Sequence, residues 1–153
     1  MRFPAQVLVV PYQIINNELL LTILKRQDMD IWQWIAGGVE DNESFADAAL
    51  RESEEELGIP SSKLELMHLD SKCSIPKSYF KASKNWPDDI YTITEHAFAV
   101  RFESHEDISL SAEHTTYKII KFSELGRYNT WDSNRTAAWE LHQRLLQMEL
   151  ICR

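Results

Sequence analysis

The sequence predicts an α/β protein of the mixed kind, an α+β arrangement in which helices pack on a mixed β-sheet. Two apolar, β-branched runs flank a turn pair near the N-terminus, and three later runs alternate between apolar and polar residues. Two other segments, 44–57 and 134–149, carry apolar residues at helical spacing. The 153 residues predict one domain, residues 1–153, which is long enough to bury a core.

The first predicted element is a β-hairpin. Its strands are the runs QVLVVPYQII and ELLLTILKRQ, which are separated by Asn16 and Asn17. Asparagine tolerates the positive φ that a two-residue hairpin turn requires, so this pair predicts a tight turn. The run IWQWI then predicts a short strand that leads into a loop at Gly37 and Gly38.

A helix over about residues 44–57 follows this loop. Ser44 and Asp47 predict its N-terminal cap, and Gly58 predicts its C-terminal stop. Since each residue advances the helix by 100°, the side chains of Glu52, Glu55 and Glu56 are expected on one face. The core-facing stripe is expected to be Ala46, Leu50, Ser53 and Leu57.

The remaining elements are predicted strands at KLELMHLDS, IYTITEHAFAVRF and HTTYKIIKF, and a last helix over about residues 134–149. Residues 73–90 carry no regular period and predict a long loop or an irregular hairpin. The core-facing side of the last helix is expected to be Ala138, Leu141, Leu145 and Met148.

Composition excludes several classes of function. The formal net charge of −8 disfavours a nucleic-acid polymer as partner, because phosphate backbones require a basic surface. No apolar run approaches the roughly 20 residues that span a membrane, and the N-terminus lacks a signal-peptide cleavage site. Cys73 and Cys152 do not suggest a disulfide framework, so a cytoplasmic location is expected. Oligomeric state cannot be predicted from the sequence.

Acidic residues concentrate in GGVEDNESFADAALRESEEELGI, residues 37–59, where eight side chains are Asp or Glu. Like charges three and four residues apart repel, so this helix face is either merely solvated or in contact with a cation. The segment matches the pattern Gly-x5-Glu-x7-Arg-Glu-U-x-Glu-Glu-x-Gly-U, in which U is aliphatic, with Ser53 as a departure at the first U. This pattern resembles the Nudix box. Its other fixed positions are occupied by Gly37, Glu43, Arg51, Glu52, Glu55, Glu56, Gly58 and Ile59.

The resemblance implies a Nudix fold, an α/β/α sandwich with a mixed sheet, and hydrolysis of a diphosphate linked to another group. It also implies Mg²⁺, with Mn²⁺ as a possible substitute, because hard cations take oxygen ligands and share them with substrate phosphates. The implied ligands are the Gly37 carbonyl and the carboxylates of Glu52, Glu55 and Glu56. Glu55 also belongs to the expected catalytic group, in which Arg51 pairs with Glu43 and orients the box carboxylates.

The similarity extends beyond the box. The stretches IWQWIAGGVE, SAEHTTYKIIKF and TWDSNRTAAW resemble the bacterial dATP and dihydroneopterin triphosphate pyrophosphatase branch of the family. In this branch a Glu at the position of Glu113 returns to the metal cluster from a distant loop. Glu113 is therefore expected to bind the metal or to accept a proton from the attacking water, and the sequence does not separate these two roles.

The other half of the substrate needs a flat and partly apolar slot with positive charge near the phosphates. Trp32 and Trp131 are the expected stacking residues, because aromatic faces stack on any base. Lys25 and Arg26 end the second strand and are candidate phosphate contacts. Arg135 follows in TWDSNR, where it either contacts substrate or helps to cap the last helix.

The expected function is Mg²⁺-dependent hydrolysis of a nucleoside or pterin triphosphate, which releases pyrophosphate and a monophosphate. One alternative keeps the box but changes the substrate to a dinucleoside polyphosphate, a nucleotide sugar or ADP-ribose. A third possibility is a sensor that binds nucleotide without turnover. Catalysis is favoured over sensing because the charged residues of the box, Arg51, Glu52, Glu55 and Glu56, are all present. The expected partner is a small nucleotide-like diphosphate substrate.

Overall fold

The computed structural model describes residues 2–112 and 114–152. Seven strands form one mixed sheet, which has the order β3-β2-β1-β6-β5, with β4 paired to β1 and β7 paired to β2. The strands β1 and β6 are parallel, and the other pairs are antiparallel. The strands are β1 Arg2–Ile15, β2 Glu18–Arg26, β3 Trp32–Gln33, β4 Ile35–Glu40, β5 Glu65–Pro76, β6 Thr92–Arg101 and β7 His114–Lys121. The α-helices are α1 Phe45–Leu57 and α2 Asp132–Gln147.

The predicted N-terminal hairpin is confirmed. Ile15 pairs with Glu18, and the two residues between them, Asn16 and Asn17, have φ values of 52° and 62°. These positive values are those of a tight turn that asparagine accepts at low cost. The long strand β1 then pairs with β2, β4 and β6, so it lies at the centre of the sheet.

The two α-helices cover opposite faces of the sheet, as the alternation of side chains along β1 shows. Val7 and Val9 belong to a buried cluster that contains Ala48 and Ala49 of α1. Leu8, Val10 and Tyr12 belong to a second cluster, whose α2 members are Ala137, Ala138, Leu141 and Leu145. Because successive side chains of a strand point to opposite faces, these clusters form the two layers of an α/β/α sandwich. The predicted fold class is confirmed.

Three predicted elements differ in detail. The expected strand at IWQWI is split into β3 and β4 by Trp34, which is fully buried and held by Asn134 through both its backbone and indole N–H groups, at 2.9 and 2.7 Å. Of the two alternatives for residues 73–90, the irregular hairpin is the one observed, because β5 continues to Pro76 and pairs antiparallel with β6. Two short 3-10 helices follow, at Lys77–Tyr79 and Lys81–Asn85.

The last helix begins and ends two residues earlier than expected, at Asp132 and Gln147. Met148 follows its end and is 49% exposed, so the expectation that it faces the core is wrong. Within the part of the chain that the structure describes, no helix combines the length and the apolar character needed to cross a bilayer.

Candidate active site

The box forms a strand–loop–helix unit whose turns are set by local sequence. The loop expected at Gly37 and Gly38 begins later, because both glycines lie in β4, which continues to Glu40 in register with β1. Asn42 of the loop has φ 66°, a left-handed conformation that asparagine tolerates. The Ser44 hydroxyl accepts a hydrogen bond from the Asp47 backbone N–H at 3.0 Å, as the predicted cap requires. Gly58 ends α1 at φ 69°, which is the expected left-handed stop.

The buried face of α1 is rotated from the predicted stripe. Ala46 and Leu50 are only half-buried. The residues of the helix that are buried are Ala48, Ala49, Glu52, Ser53, Glu56 and Leu57. The Ser53 hydroxyl is satisfied inside the protein because it donates to the Ala49 carbonyl at 2.7 Å. Two of the acidic residues, Glu52 and Glu56, therefore lie on the packed face itself, whereas Glu55 is exposed.

Gly37 explains how a carboxylate fits on this packed face. A Cβ placed on Gly37 would lie 2.0 Å from Cδ of Glu52, well inside van der Waals contact. The φ of Gly37 is not positive, so the glycine is required for space rather than for backbone conformation. The absent side chain leaves a cradle that holds the Glu52 carboxylate against the backbone of β4.

Arg51 connects the helix to the loop. Its Nε and Nη2 donate to the two carboxylate oxygens of Glu43 at 2.8 and 2.9 Å, and Nη2 also donates to the Gly38 carbonyl at 2.9 Å. Its Nη1 donates to Glu52 at 2.9 Å and reaches Glu55 at 3.5 Å. The predicted pairing of Arg51 with Glu43 is thus present in the structure. The bidentate contact lowers the pKa of Glu43 and raises that of Arg51.

The carboxyl group of Glu52 has a raised pKa. Its pKa is raised to about 7, mainly by burial; Arg51 acts against this rise, and the nearby charges of Glu55 and Glu56 add to it. A carboxylate that is desolvated and surrounded by like charge is stabilised by a nearby cation.

Glu56 contacts a segment that lies far away in the sequence. Its Oε2 accepts a hydrogen bond from the Ser111 hydroxyl at 2.9 Å and lies 2.7 Å from Nδ1 of His114. The same segment covers the C-terminal end of α1, where the Ser109 N–H donates to the Leu57 carbonyl at 2.7 Å. The side chain of His114 is 3% exposed and lies against Glu56.

Glu113 lies outside the described residues, so its predicted role remains a prediction. Two nearby residues, Ser111 and His114, contact Glu56, and they were not recognised from the sequence. The signal that could have found them is their place in SAEHTTY, the stretch that carries Glu113.

The box residues fit a divalent cation by the chemistry of their donors. Carboxylate and carbonyl oxygens are the ligands that Mg²⁺ prefers, and the Gly37 cradle brings Glu52 beside the backbone of β4, which carries the Gly37 carbonyl. No group of three or more His, Cys, Asp or Glu side chains converges around one point within residues 2–112 and 114–152. Glu52 is turned toward Arg51 and Glu56 toward Ser111, so these side chains must reorient to share a metal.

A cavity of about 920 Å³ adjoins the box. Ala36, which precedes Gly37, and His114, which contacts Glu56, both line it. Of the predicted substrate contacts, Arg26 and Trp131 line the cavity. Arg26 is paired with Asp28 at 2.6 and 2.8 Å, and the Trp131 indole N–H donates to Gln33 at 3.2 Å.

The other predicted contacts do not line this cavity. Lys25 is paired with Asp30. Trp32 packs edge-on against Tyr128, with ring centroids 5.3 Å apart. Arg135 donates to the Tyr128 carbonyl at 2.8 Å, which agrees with a structural role at the start of α2.

The polar residues of the cavity wall that were not predicted from the sequence include Arg2, Gln6 and Glu95. For Glu95 a signal was present, because the period of two along β6 places it in line with Ile93, Ala97 and Ala99. An acidic residue on an otherwise apolar strand face is a candidate for function.

Comparison with known proteins agrees with the geometry. The NUDIX domain model matches residues 4–140. The dihydroneopterin triphosphate diphosphatase of Escherichia coli K12 is 28% identical over 135 residues, which are 88% of this chain and 89% of that protein. A solved NUDIX hydrolase structure from Listeria monocytogenes is 32% identical, covers 99% of this chain and 100% of that chain, and has a TM-score of 0.82.

The structure of the E. coli dihydroneopterin triphosphate pyrophosphohydrolase is 26% identical and has a TM-score of 0.71, with 92% of this chain and 97% of that chain covered. The family model spans most of the chain, and the cavity is lined by Ala36, which directly precedes the box residue Gly37. The chain therefore belongs to the Nudix family and is a hydrolase that acts on a diphosphate linkage.

Proposed function

We propose that this Nudix hydrolase uses Mg²⁺, or Mn²⁺ in its place, to hydrolyse a nucleoside or pterin triphosphate to pyrophosphate and a monophosphate. The observation that carries the proposal is the juxtaposition of the Glu52–Gly37–Arg51 cluster with a cavity of about 920 Å³. Pockets that bind small molecules have volumes of about 300–1,000 Å³, so this cavity is large enough for a nucleoside or pterin triphosphate. The similarity in sequence and in structure to dihydroneopterin triphosphate hydrolase of E. coli supports the same substrate class.

The proposed reaction requires side chains that bind the metal, side chains that position the ligands, and an aromatic surface for the ring of the substrate. The cation would be held by Glu52, Glu55, Glu56 and the Gly37 carbonyl, and it would neutralise phosphate charge and acidify water. Arg51 holds Glu43, Glu52 and the Gly38 carbonyl in one network, so its part is positioning. Trp131 offers a 41% exposed aromatic surface to the ring of the substrate.

We expect purified protein to hydrolyse a nucleoside or pterin triphosphate only when Mg²⁺ or Mn²⁺ is added. A panel of triphosphates, dinucleoside polyphosphates, nucleotide sugars and ADP-ribose, with products separated by ion-exchange chromatography, tests this. Pyrophosphate and a monophosphate should appear together from the triphosphates. Turnover confined to another member of the panel would assign a different substrate class, and equal turnover in excess chelator would exclude the metal requirement.

We expect Glu113→Gln to lower kcat by at least about tenfold with little change in KM, because removing a positioned proton acceptor costs 10²–10⁴-fold. Its neighbours Ser111 and His114 contact Glu56, which supports an approach of this segment to the metal ligands. Steady-state kinetics from pH 7 to 9 at limiting Mg²⁺ measure the effect. Activity within twofold of wild type across that range would remove Glu113 from the site.

A further inference from the structure

The cavity contains a buried carboxylate that the hydrolytic machinery does not use. Glu95 of β6 is 5% exposed and lines the cavity beside Cys73 and Gln6. It is paired in parallel register with Gln6 of β1, on the face of the sheet that α2 covers. Its place at the centre of the sheet makes it a rigid part of the cavity wall.

A relay of hydrogen bonds fixes this carboxylate. The Gln6 amide N–H donates to Oε2 of Glu95 at 2.7 Å, and Nη2 of Arg2 donates to the Gln6 carbonyl oxygen at 3.1 Å. The Arg2 guanidinium lies over the rings of Phe80 and Trp86, at 5.0 and 5.7 Å from their centroids. Gln6 therefore cannot turn its carbonyl oxygen toward Glu95 without losing its bond to Arg2.

The relay supplies a hydrogen bond to only one oxygen of the Glu95 carboxylate, Oε2. Among residues 2–112 and 114–152, Gln6 supplies the hydrogen bond to Glu95, and no lysine, arginine or histidine forms an ion pair with it. Burial raises the pKa of Glu95, and the Gln6 hydrogen bond acts against that rise. An apolar residue would pack on this strand face without the cost of burying a carboxylate, which favours a function for Glu95. Its Oε1 accepts no hydrogen bond from residues 2–112 and 114–152, and the side chain lines the cavity, so a bound ligand can donate to it.

The chemistry of such a ligand follows from the geometry of a carboxylate, which accepts two parallel N–H groups. A 2-amino-4-oxo pyrimidine ring presents two such donors side by side, the ring N–H and the exocyclic amino group. Guanine and pterin share this edge. Adenine instead presents a donor beside a ring nitrogen that accepts, so its lone pair would face a carboxylate oxygen.

We propose that Glu95 is the specificity-determining residue of the cavity and accepts both donors from the 2-amino-4-oxo edge of a guanine or pterin ring. Tyr79, Phe80 and Trp131 line the same cavity and offer stacking surfaces for the ring. This inference rests on the proposed hydrolysis of a ring-bearing triphosphate and assigns the residue that selects the ring.

Three nucleotides test the two hydrogen bonds separately. dGTP carries both donors, dITP lacks the 2-amino group, and dATP replaces the ring donor by an acceptor. With Mg²⁺, wild-type kcat/KM should fall in the order dGTP, dITP, dATP, with a total range of at least about tenfold, since a paired contact of this kind discriminates by 5- to 150-fold. Dihydroneopterin triphosphate measured in parallel decides whether the pterin or the purine is the better ligand.

Glu95→Gln supplies the residue-level test, because an amide offers one donor and one acceptor and so complements adenine. We expect it to lower the dGTP:dATP ratio of kcat/KM by at least about tenfold, with a melting temperature at or above that of wild type. Glu65→Gln, which removes the same charge from an exposed site on β5, should leave the ratio unchanged.

The outcomes distinguish failure of the role of Glu95 from failure of the proposed triphosphate hydrolysis. A wild-type enzyme that hydrolyses these triphosphates but prefers dATP, or a Glu95→Gln variant that keeps the wild-type ratio within twofold, overturns the role of Glu95 alone. Absence of turnover on every triphosphate overturns the proposed function as well. If Glu95→Gln fails to fold, the order of the three nucleotides on wild-type enzyme decides the question.

Discussion

Glu56→Gln is expected to lower the rate of triphosphate hydrolysis by at least about 100-fold, because a metal-ligand charge is worth several kcal/mol of transition-state stabilisation. The fold should survive the change. Gln has the same shape, keeps an oxygen that can accept from the Ser111 hydroxyl, and has a helix propensity close to that of Glu. Steady-state kinetics and thermal unfolding measured on the same preparation separate the two effects.

The matched control is Glu54→Gln, which makes the same change on the same helix two residues away. Glu54 is exposed, so this variant should keep wild-type kcat and melting temperature. If Glu56→Gln unfolds at a much lower temperature and loses activity only in proportion, Glu56 is a structural residue. Its contact with His114 would then be the reason for its burial.

Gly37→Ala is expected to lower kcat by about 100-fold, because displacement of a catalytic group by about 1 Å costs this much. The added Cβ would lie 2.0 Å from Cδ of Glu52, so the carboxylate must leave the cradle that holds it against β4. The methyl group should also destabilise the protein by about 1–3 kcal/mol through overpacking. Kinetics at a temperature well below both melting transitions isolate the effect on activity.

Gly126→Ala is the control for this substitution, because a Cβ there has no heavy atom of another residue within 4 Å. It should change neither activity nor stability by a measurable amount. Retention of more than a third of wild-type kcat by Gly37→Ala would show that the position of Glu52 in the cradle does not matter for hydrolysis.

Local chemistry explains which features the sequence predicted well. The Asn16–Asn17 turn, the Ser44 cap and the Gly58 stop depend on residues only a few positions apart, and all three agree with the structure. The pairing of Arg51 with Glu43 is also a short-range contact, within one loop and the helix that follows it.

The features that were missed depend on contacts between distant segments. The buried face of α1 is set by the space over Gly37 of β4, which helical periodicity alone does not contain. His114 reaches Glu56 only because the segment before β7 packs on the end of α1. Glu95 becomes part of a cavity only when β6 pairs with β1 and α2 covers that face.

Binding of Mn²⁺ alone, followed by electron paramagnetic resonance, tests most directly whether the carboxylates of α1 hold a divalent cation. The wild-type protein and Glu54→Gln should bind Mn²⁺ with equal affinity. Glu56→Gln should bind it at least about tenfold more weakly, since even indirect perturbation of a metal site costs 10- to 100-fold in affinity. Wild-type affinity in Glu56→Gln would contradict the assignment of this acidic helix as the metal site.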